Sequence, residues 1–239
     1  MLDAYLTQTK QLLQNPGAPN ALYSTSDLTS YINRARGQLA GDAECTRVYA
    51  TLALTQGQMQ YPFSAINLGT APGVDGVYDI RIAWYQVGVG QAWIRPRPWA
   101  WFWLYELNNP APDQGQPKVW TQFGQGATGS IFVSPPPDTD YTLNLDVLAL
   151  PIPLVDDTTV EAIPFPFTDA VPFFAAYFAL LSAQSASRQA DADRMLARYE
   201  EFKNRARRMS NPSVNPLIYE QAPDPFRANR LGEQQAGGG

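Results

Sequence analysis

Three glycines, Gly124, Gly126 and Gly129, stand at the spacing G-x-G-x-x-G. In a dinucleotide-binding unit that spacing follows a strand and opens a helix, so that a pyrophosphate meets the free N–H groups of the helix N-terminus. Here it runs into Ile131-Phe132-Val133, a strand pattern, and the reading is a glycine-rich hairpin loop with no cofactor. Carboxylates occur in pairs, Asp138 with Asp140, Asp156 with Asp157 and Asp191 with Asp193. Acid–base catalysis needs two carboxyls that face one another with separated pKa values, whereas carboxylates one or two residues apart are turn formers and helix caps. The chain has no histidine and a single cysteine, Cys45, which removes Ser-His-Asp triads, Cys-His dyads, His- or Cys-rich zinc sites and internal disulfides. Cys45 falls at a helix-to-strand transition, where a small buried residue is expected. No catalytic, cofactor-binding or metal-binding residue is therefore assigned.

One basic cluster stands out, Lys203, Arg205, Arg207 and Arg208, in the last turns of a predicted helix. Cations there complement the helix dipole; the other reading is a basic rim facing an acidic partner or a DNA channel. The 6 tryptophans raise the question of exposed sugar-stacking platforms, against which a buried aromatic core is the expectation.

The 239 residues suffice for one substantial core or two smaller layers. The opening Met1-Leu2-Asp3-Ala4 has no basic region followed by an apolar run, and no stretch reaches the roughly 18 uncharged apolar residues of a spanning helix, so a soluble, unsecreted protein with no membrane partner is expected. A formal charge of −5 and a pI near 4.7 argue against a protein built to bind nucleic acid.

The elements that must position these groups follow from periodicity. Leu2, Tyr5, Leu6, Leu12 and Leu13 line a first helix, broken by Asn15-Pro16-Gly17. Ser24 and Asp27 form an acidic variant of the capping box; Leu28, Tyr31, Ile32, Ala35 and Leu39 then recur at helical spacing, with Asn33, Arg34, Arg36 and Gln38 assigned to the solvent side and Gly41 to the stop. From Thr46 the period becomes two, with Arg47, Tyr49, Thr51 and Ala53 on one face and Val48, Leu52 and Leu54 on the other; Gln56-Gly57-Gln58 reads as a hairpin turn into Met59 to Phe63. Further strands are expected over Val77 to Val87, Gln91 to Ile94, Lys118 to Phe123, Ser130 to Ser134 and Tyr141 to Leu150, about seven short strands in all. The aromatic run Trp99 to Tyr105 fits strand or helix, and its flanking prolines favour a helix. An apolar helix over Ala170 to Ala186 must be covered by the N-terminal helices and by a last helix over Gln189 to Met209.

The predicted fold class is α+β: a helix bundle from the N- and C-terminal helices, an inserted small β-sandwich or barrel-like domain, and an extended C-terminal tail. The expected divisions are 1–44, 45–163, 164–209 and 210–239. In the tail, Pro212, Pro216, Pro223, Pro225 and the closing glycines exclude a helix, yet Val214, Leu217, Ile218, Tyr219 and Phe226 recur as if meant for another subunit's groove. Fully extended, such a tail spans about 100 Å.

Four segments in order carry a resemblance: Leu28-Thr29-Ser30-Tyr31-Ile32-Asn33-Arg34-Ala35, Gly115-Gln116-Pro117, Pro135-Pro136-Pro137-Asp138 with Tyr141-Thr142-Leu143, and Pro153-Leu154-Val155-Asp156-Asp157. Through them the chain resembles the head-to-tail adaptors of short-tailed bacteriophages. The resemblance implies a non-enzymatic virion protein at the head–tail junction, assembled in the host cytoplasm. It implies a homo-oligomeric ring of 12 subunits under the portal protein, extending the DNA channel without sequence-specific binding and offering a platform to tail and nozzle proteins. It also implies that Val214, Leu217, Ile218, Tyr219 and Phe226 reach the portal. The rival readings are a carbohydrate-binding β-module and, third, a carboxylate-dependent hydrolase.

Overall fold

Leu2, Tyr5, Leu6 and Thr9 recur on the buried side of α1 (Leu2–Leu12). The structure is a computed structural model that describes residues 1–15, 21–87, 90–108, 113–183 and 188–210. α2 (Thr25–Ala43) starts where expected: the Ser24 hydroxyl accepts the Asp27 N–H at 3.1 Å and donates to the Asp27 carboxylate at 2.7 Å. It does not stop at Gly41. The helix runs on to Ala43 and ends on Glu44, whose φ of 54° supplies the left-handed cap. Gly41 lies beside the Tyr78 ring, with room for a Cβ at ordinary contact distance.

The strands are β1 (Arg47–Leu54), β2 (Gln60–Pro62), β3 (Val74–Val87), β4 (Gly90–Trp93), β5 (Arg95–Pro96), β6 (Val119–Phe123), β7 (Ser130–Ser134) and β8 (Tyr141–Pro151). They form two four-stranded sheets, ordered β1-β8-β3-β4 and β2-β7-β6-β5. Every pairing is antiparallel except β5 with β6. The alternation read in β1 holds: Ala50, Leu52 and Leu54 are buried while Arg47, Tyr49, Thr51 and Ala53 are exposed. Register then stacks Leu52, Leu143 and Tyr85 across three strands, and the apolar face meets Tyr61, Trp120, Ile131 and Val133 of the second sheet. Two strands are long, β3 with 14 residues and β8 with 11, because they form the spine of the first sheet.

The turn at Gln56-Gly57-Gln58 is not a hairpin. β1 and β2 belong to different sheets, so the turn carries the chain across the sandwich, and the Tyr61 hydroxyl holds it by accepting from Thr55 N at 2.9 Å and donating to main-chain carbonyls. The aromatic run is helical: α3 (Trp99–Phe102) continues as a wider π-type turn over Trp103–Leu107, pinned by the buried Phe102 against Phe132.

α4 (Ala170–Ser182) packs against α1, α2 and α5 (Gln189–Ser210), the cover that its apolar surface demanded. Phe174 is the hub, stacking on Tyr199 at 4.2 Å and meeting Phe178 edge-on at 4.6 Å. The result is two separate apolar cores, one among the helices and one between the sheets, with helices at both ends of the described chain and the sheets between. Among the described residues no helix is long and apolar enough to cross a membrane.

Candidate functional site

The four segments that carry the resemblance meet in pairs, and what they build is joints. Asn33 Nδ2 donates to Leu154 O at 2.9 Å while Leu154 N donates to Asn33 Oδ1 at 2.7 Å, a two-way clasp between α2 and the segment after β8. Gly115 N donates to Pro136 O at 2.9 Å and Gly57 N to Pro137 O at 2.8 Å, which binds the Gly-Gln-Pro turn and the β1–β2 crossing to the proline triplet. Proline carbonyls accept without a competing N–H of their own, so a triplet is a ready acceptor rail.

Beside the Asn33 clasp lies a residue that the sequence reading placed on the wrong side. Arg36 is 0% exposed. Its Nε and Nη2 form a fork onto Glu161 at 2.8–3.0 Å, and its Nη1 donates to Ile152 O at 2.6 Å and Asn33 Oδ1 at 3.2 Å. A guanidinium can be buried only when its donors are satisfied and its charge is countered, and all of that is supplied here. The signal was present in the helical spacing: Arg36 follows Ile32 by four residues, on the apolar stripe. Its partner, 125 residues away, was not legible.

The carboxylates behave as turn and cap residues. Asp156 Oδ1 accepts from both the N–H and the hydroxyl of Thr158 and Thr159, and these bonds, the Thr158 hydroxyl first, hold its carboxyl below the usual range. Asp157 accepts from the Met1 ammonium and from Asp3 N, capping α1, and its carboxyl too is lowered, first by the ammonium. Asp138 accepts from the Tyr141 hydroxyl at 2.6 Å, and Asp140 from Gln56 N at 3.1 Å. Asp191 pairs with Arg194 in the first turn of α5, and Asp193 with Gln189. The three glycines form the β6–β7 loop around a 3₁₀ turn at Gly126–Thr128, with φ of 77° at Gly124 and 60° at Gly126. No helix follows that could hold a pyrophosphate. Gly129 has the Phe63 ring where a Cβ would stand. Cys45 is buried, and that burial pushes its thiol up to about 12. Among the described residues no cluster of carboxylate or thiol ligands could hold a metal ion.

The tryptophans correct a second expectation. Trp120 is a core residue and Trp84 is buried under its neighbours on the outer face of the first sheet, but Trp93 and Trp103 are 61% and 55% exposed, and Trp99 and Trp101 are half-buried. The α3 segment packs Trp99 onto Phe123 and Phe132, and then presents Trp103, Leu104 and Tyr105 to solvent. On the outer face of the first sheet, Tyr49, Trp84 and Trp93 form a second aromatic row with centroids 5.8–5.9 Å apart. The physical reason is topological: a two-sheet sandwich this small has room inside for few indoles, and an edge strand and a connecting helix turn theirs outward.

The basic cluster splits. Lys203 is half-buried, pairs with Glu200 and lies over the Tyr199 ring, whereas Arg205, Arg207 and Arg208 are exposed, and no ion pair among the described residues engages them. Next to them a groove of about 440 Å³ runs between α1, α4 and α5, floored by Leu12, Phe173 and Phe202. The tail residues Val214, Leu217, Ile218, Tyr219 and Phe226 lie outside the described residues.

No curated protein matches the chain. A family model, described as SU10 adaptor protein, matches residues 3–223 and so takes in both cores, all four joint segments and the first part of the tail. A match over nearly the whole length settles membership: the chain belongs to the SU10 adaptor protein family.

Proposed function

We propose that this chain is a structural virion protein, a head-to-tail adaptor of a bacteriophage, and that copies of it close into a ring, 12 in number, beneath the portal protein. In that role it extends the DNA channel without sequence-specific binding and gives tail and nozzle proteins their platform, with assembly in the host cytoplasm and final residence at the head–tail junction. The observation that carries the reading is the adaptor-family match across residues 3–223. Supporting it, the match runs beyond the end of α5 at Ser210, so the stretch holding Val214, Leu217, Ile218 and Tyr219 belongs to the family pattern while the glycine-rich end does not. Phe226 lies just past the matched span.

The units of assembly are the divisions 1–44, 45–163, 164–209 and 210–239, the first and third packing as one bundle, the second presenting aromatics outward, and the last reaching the portal. Arg205, Arg207 and Arg208, with Lys203 behind them, form the basic rim at the root of the tail, where cations suit both a helix C-terminus and an acidic partner. A chain of formal charge −5 lines a channel that lets DNA slide. Truncation after Met209 is expected to abolish portal binding in a pull-down and to leave the circular dichroism spectrum unchanged. Undiminished portal binding by the truncated protein would overturn the role given to the tail.

The exposed Trp93, Trp103 and Tyr105 favour one second reading, a carbohydrate-binding β-module. Glycan-array binding by a strictly monomeric protein would select it over the ring.

A further inference from the structure

Where the chain steps from one sheet to the other it leaves a cleft of about 400 Å³. β4 is the outer strand of the first sheet and β5 the outer strand of the second, and only Ile94 stands between them, so two sheet edges diverge around the cleft. Three cations line it: Arg95, Arg97 and Lys118. Their places are fixed by main-chain bonds, Arg95 N to Lys118 O at 3.0 Å and Arg97 N to Trp120 O at 2.8 Å. No carboxylate lines the cleft, and none among the described residues forms an ion pair with any of the three. Tyr85 is also in the wall, 3% exposed, and its buried hydroxyl has no hydrogen-bond partner among the described residues. The exposed Trp93 stands at the rim.

In a chain of formal charge −5, three cations around one slot with no carboxylate beside them, Arg97 lying also over the Trp101 ring at 4.9 Å, are a concentration of positive potential against the sign of the whole molecule. We propose that the cleft takes carboxylate side chains from an extended acidic segment of a partner protein. Guanidinium groups bind carboxylates through two parallel charge-assisted bonds, and Arg95 and Arg97 stand two residues apart, the repeat at which an extended peptide presents side chains to one side. The apolar walls, Ile94, Pro117 and Val119, suit the stem or the intervening apolar side chain of such a segment. Strands β4 and β5 are outer strands, and addition of an extended peptide at a sheet edge is a common mode of recognition. A DNA duplex suits the site less: its phosphates lie on a convex rod that needs a broad basic face, and the slot is the size of one or two side chains.

The test uses the full-length chain and a fluorescein-labelled peptide of alternating glutamate and valine, read by anisotropy, with a labelled DNA duplex as the second arm. The peptide is expected to bind, to weaken as salt rises, and to lose about tenfold or more in affinity in the Arg95→Gln/Arg97→Gln double variant, two charge-assisted contacts being removed. The charge-matched Arg194→Gln/Arg198→Gln variant on α5 is expected to bind as the wild type does. Should the double variant not fold by circular dichroism, Lys118→Glu at an exposed side chain carries the same expectation. Absence of peptide binding, affinity unmoved by the cleft variant, or duplex binding as tight as peptide binding would each overturn the proposal.

Discussion

The helix bundle conceals its unusual groups and the sandwich displays them. In the bundle the guanidinium of Arg36 is forked onto Glu161 out of contact with water, and the rings of Phe174 and Tyr199 are stacked between α4 and α5. In the sandwich the core holds Tyr61, Phe63, Tyr85 and Trp120 among aliphatic side chains, while Tyr49, Trp93, Trp103, Leu104, Tyr105 and Phe123 face outward. A folded chain gains nothing from exposing that much ring surface, so the contrast separates a part whose residues stabilise the fold from a part whose residues are free to meet something else. The family-bearing segments are joints in both parts: one holds α2 to the segment after β8, and the other, within the sandwich, holds the glycine turns to the proline triplet.

Variants can break that division, and the largest effect is expected at the joint. Glu161→Gln leaves the buried Arg36 charge without its counter-charge and is expected to cost about 3–5 kcal/mol in urea unfolding, whereas replacing both partners by apolar residues of similar volume restores most of the loss. A cost under about 1 kcal/mol would contradict the burial assigned to the pair. Next comes the sandwich core: Leu145→Ala, at a fully buried position between β1 and β3, is expected to cost about 2–5 kcal/mol, with a lower thermal midpoint and no change in partner binding beyond what unfolding explains. The exposed aromatics sharpen the contrast from the other side. Trp103→Ala and Tyr105→Ala are expected to shift stability by no more than about 0.5 kcal/mol while weakening capture of tail or neighbouring proteins, and a large loss of stability would show those rings to be core after all.

How much of this was readable in the chain depends on distance along it. The β1 alternation, the Ser24–Asp27 cap and the apolar α4 were legible because each is decided by neighbours within a turn or a strand. Arg36 was not, because the carboxylate that makes its burial possible arrives from across the whole sandwich. The run past Gly41 was hidden because a glycine near a helix end reads as a stop, whereas the left-handed cap is supplied three residues on by Glu44, a residue type that gives no such signal. The crossing at Gln56-Gly57-Gln58 has the residues of a hairpin, and only the pairing of β1 with β8 and β2 with β7 sends its two strands to different sheets. As for the interaction surfaces, the tryptophans were visible and their outward direction was not, since an aromatic run has the same periodicity whether its rings are sealed or bare.

The smallest expected effect concerns acid. Four hydrogen bonds from Thr158 and Thr159 hold the Asp156 carboxyl below its ordinary value, so the turn they form stabilises the fold above that value, near 3.8, and the contribution fades as pH falls through the lowered one. Asp156→Asn is expected to lower the thermal midpoint slightly at pH 7 and to converge with the wild type as pH falls through the lowered value, and a difference that grows in acid would reverse the sign. Cys45, by contrast, should stay unreactive towards thiol reagents in the native protein at pH 8, because burial pushes its thiol up to about 12.

The proposed role stands or falls on copies of this chain closing into a ring on a portal. Electron microscopy of the purified protein mixed with portal particles tests it directly. Rings of 12 copies capping the portal are expected, with the sandwich aromatics at contacts between or below subunits. Portal particles left bare beside a protein that stays monomeric would contradict it.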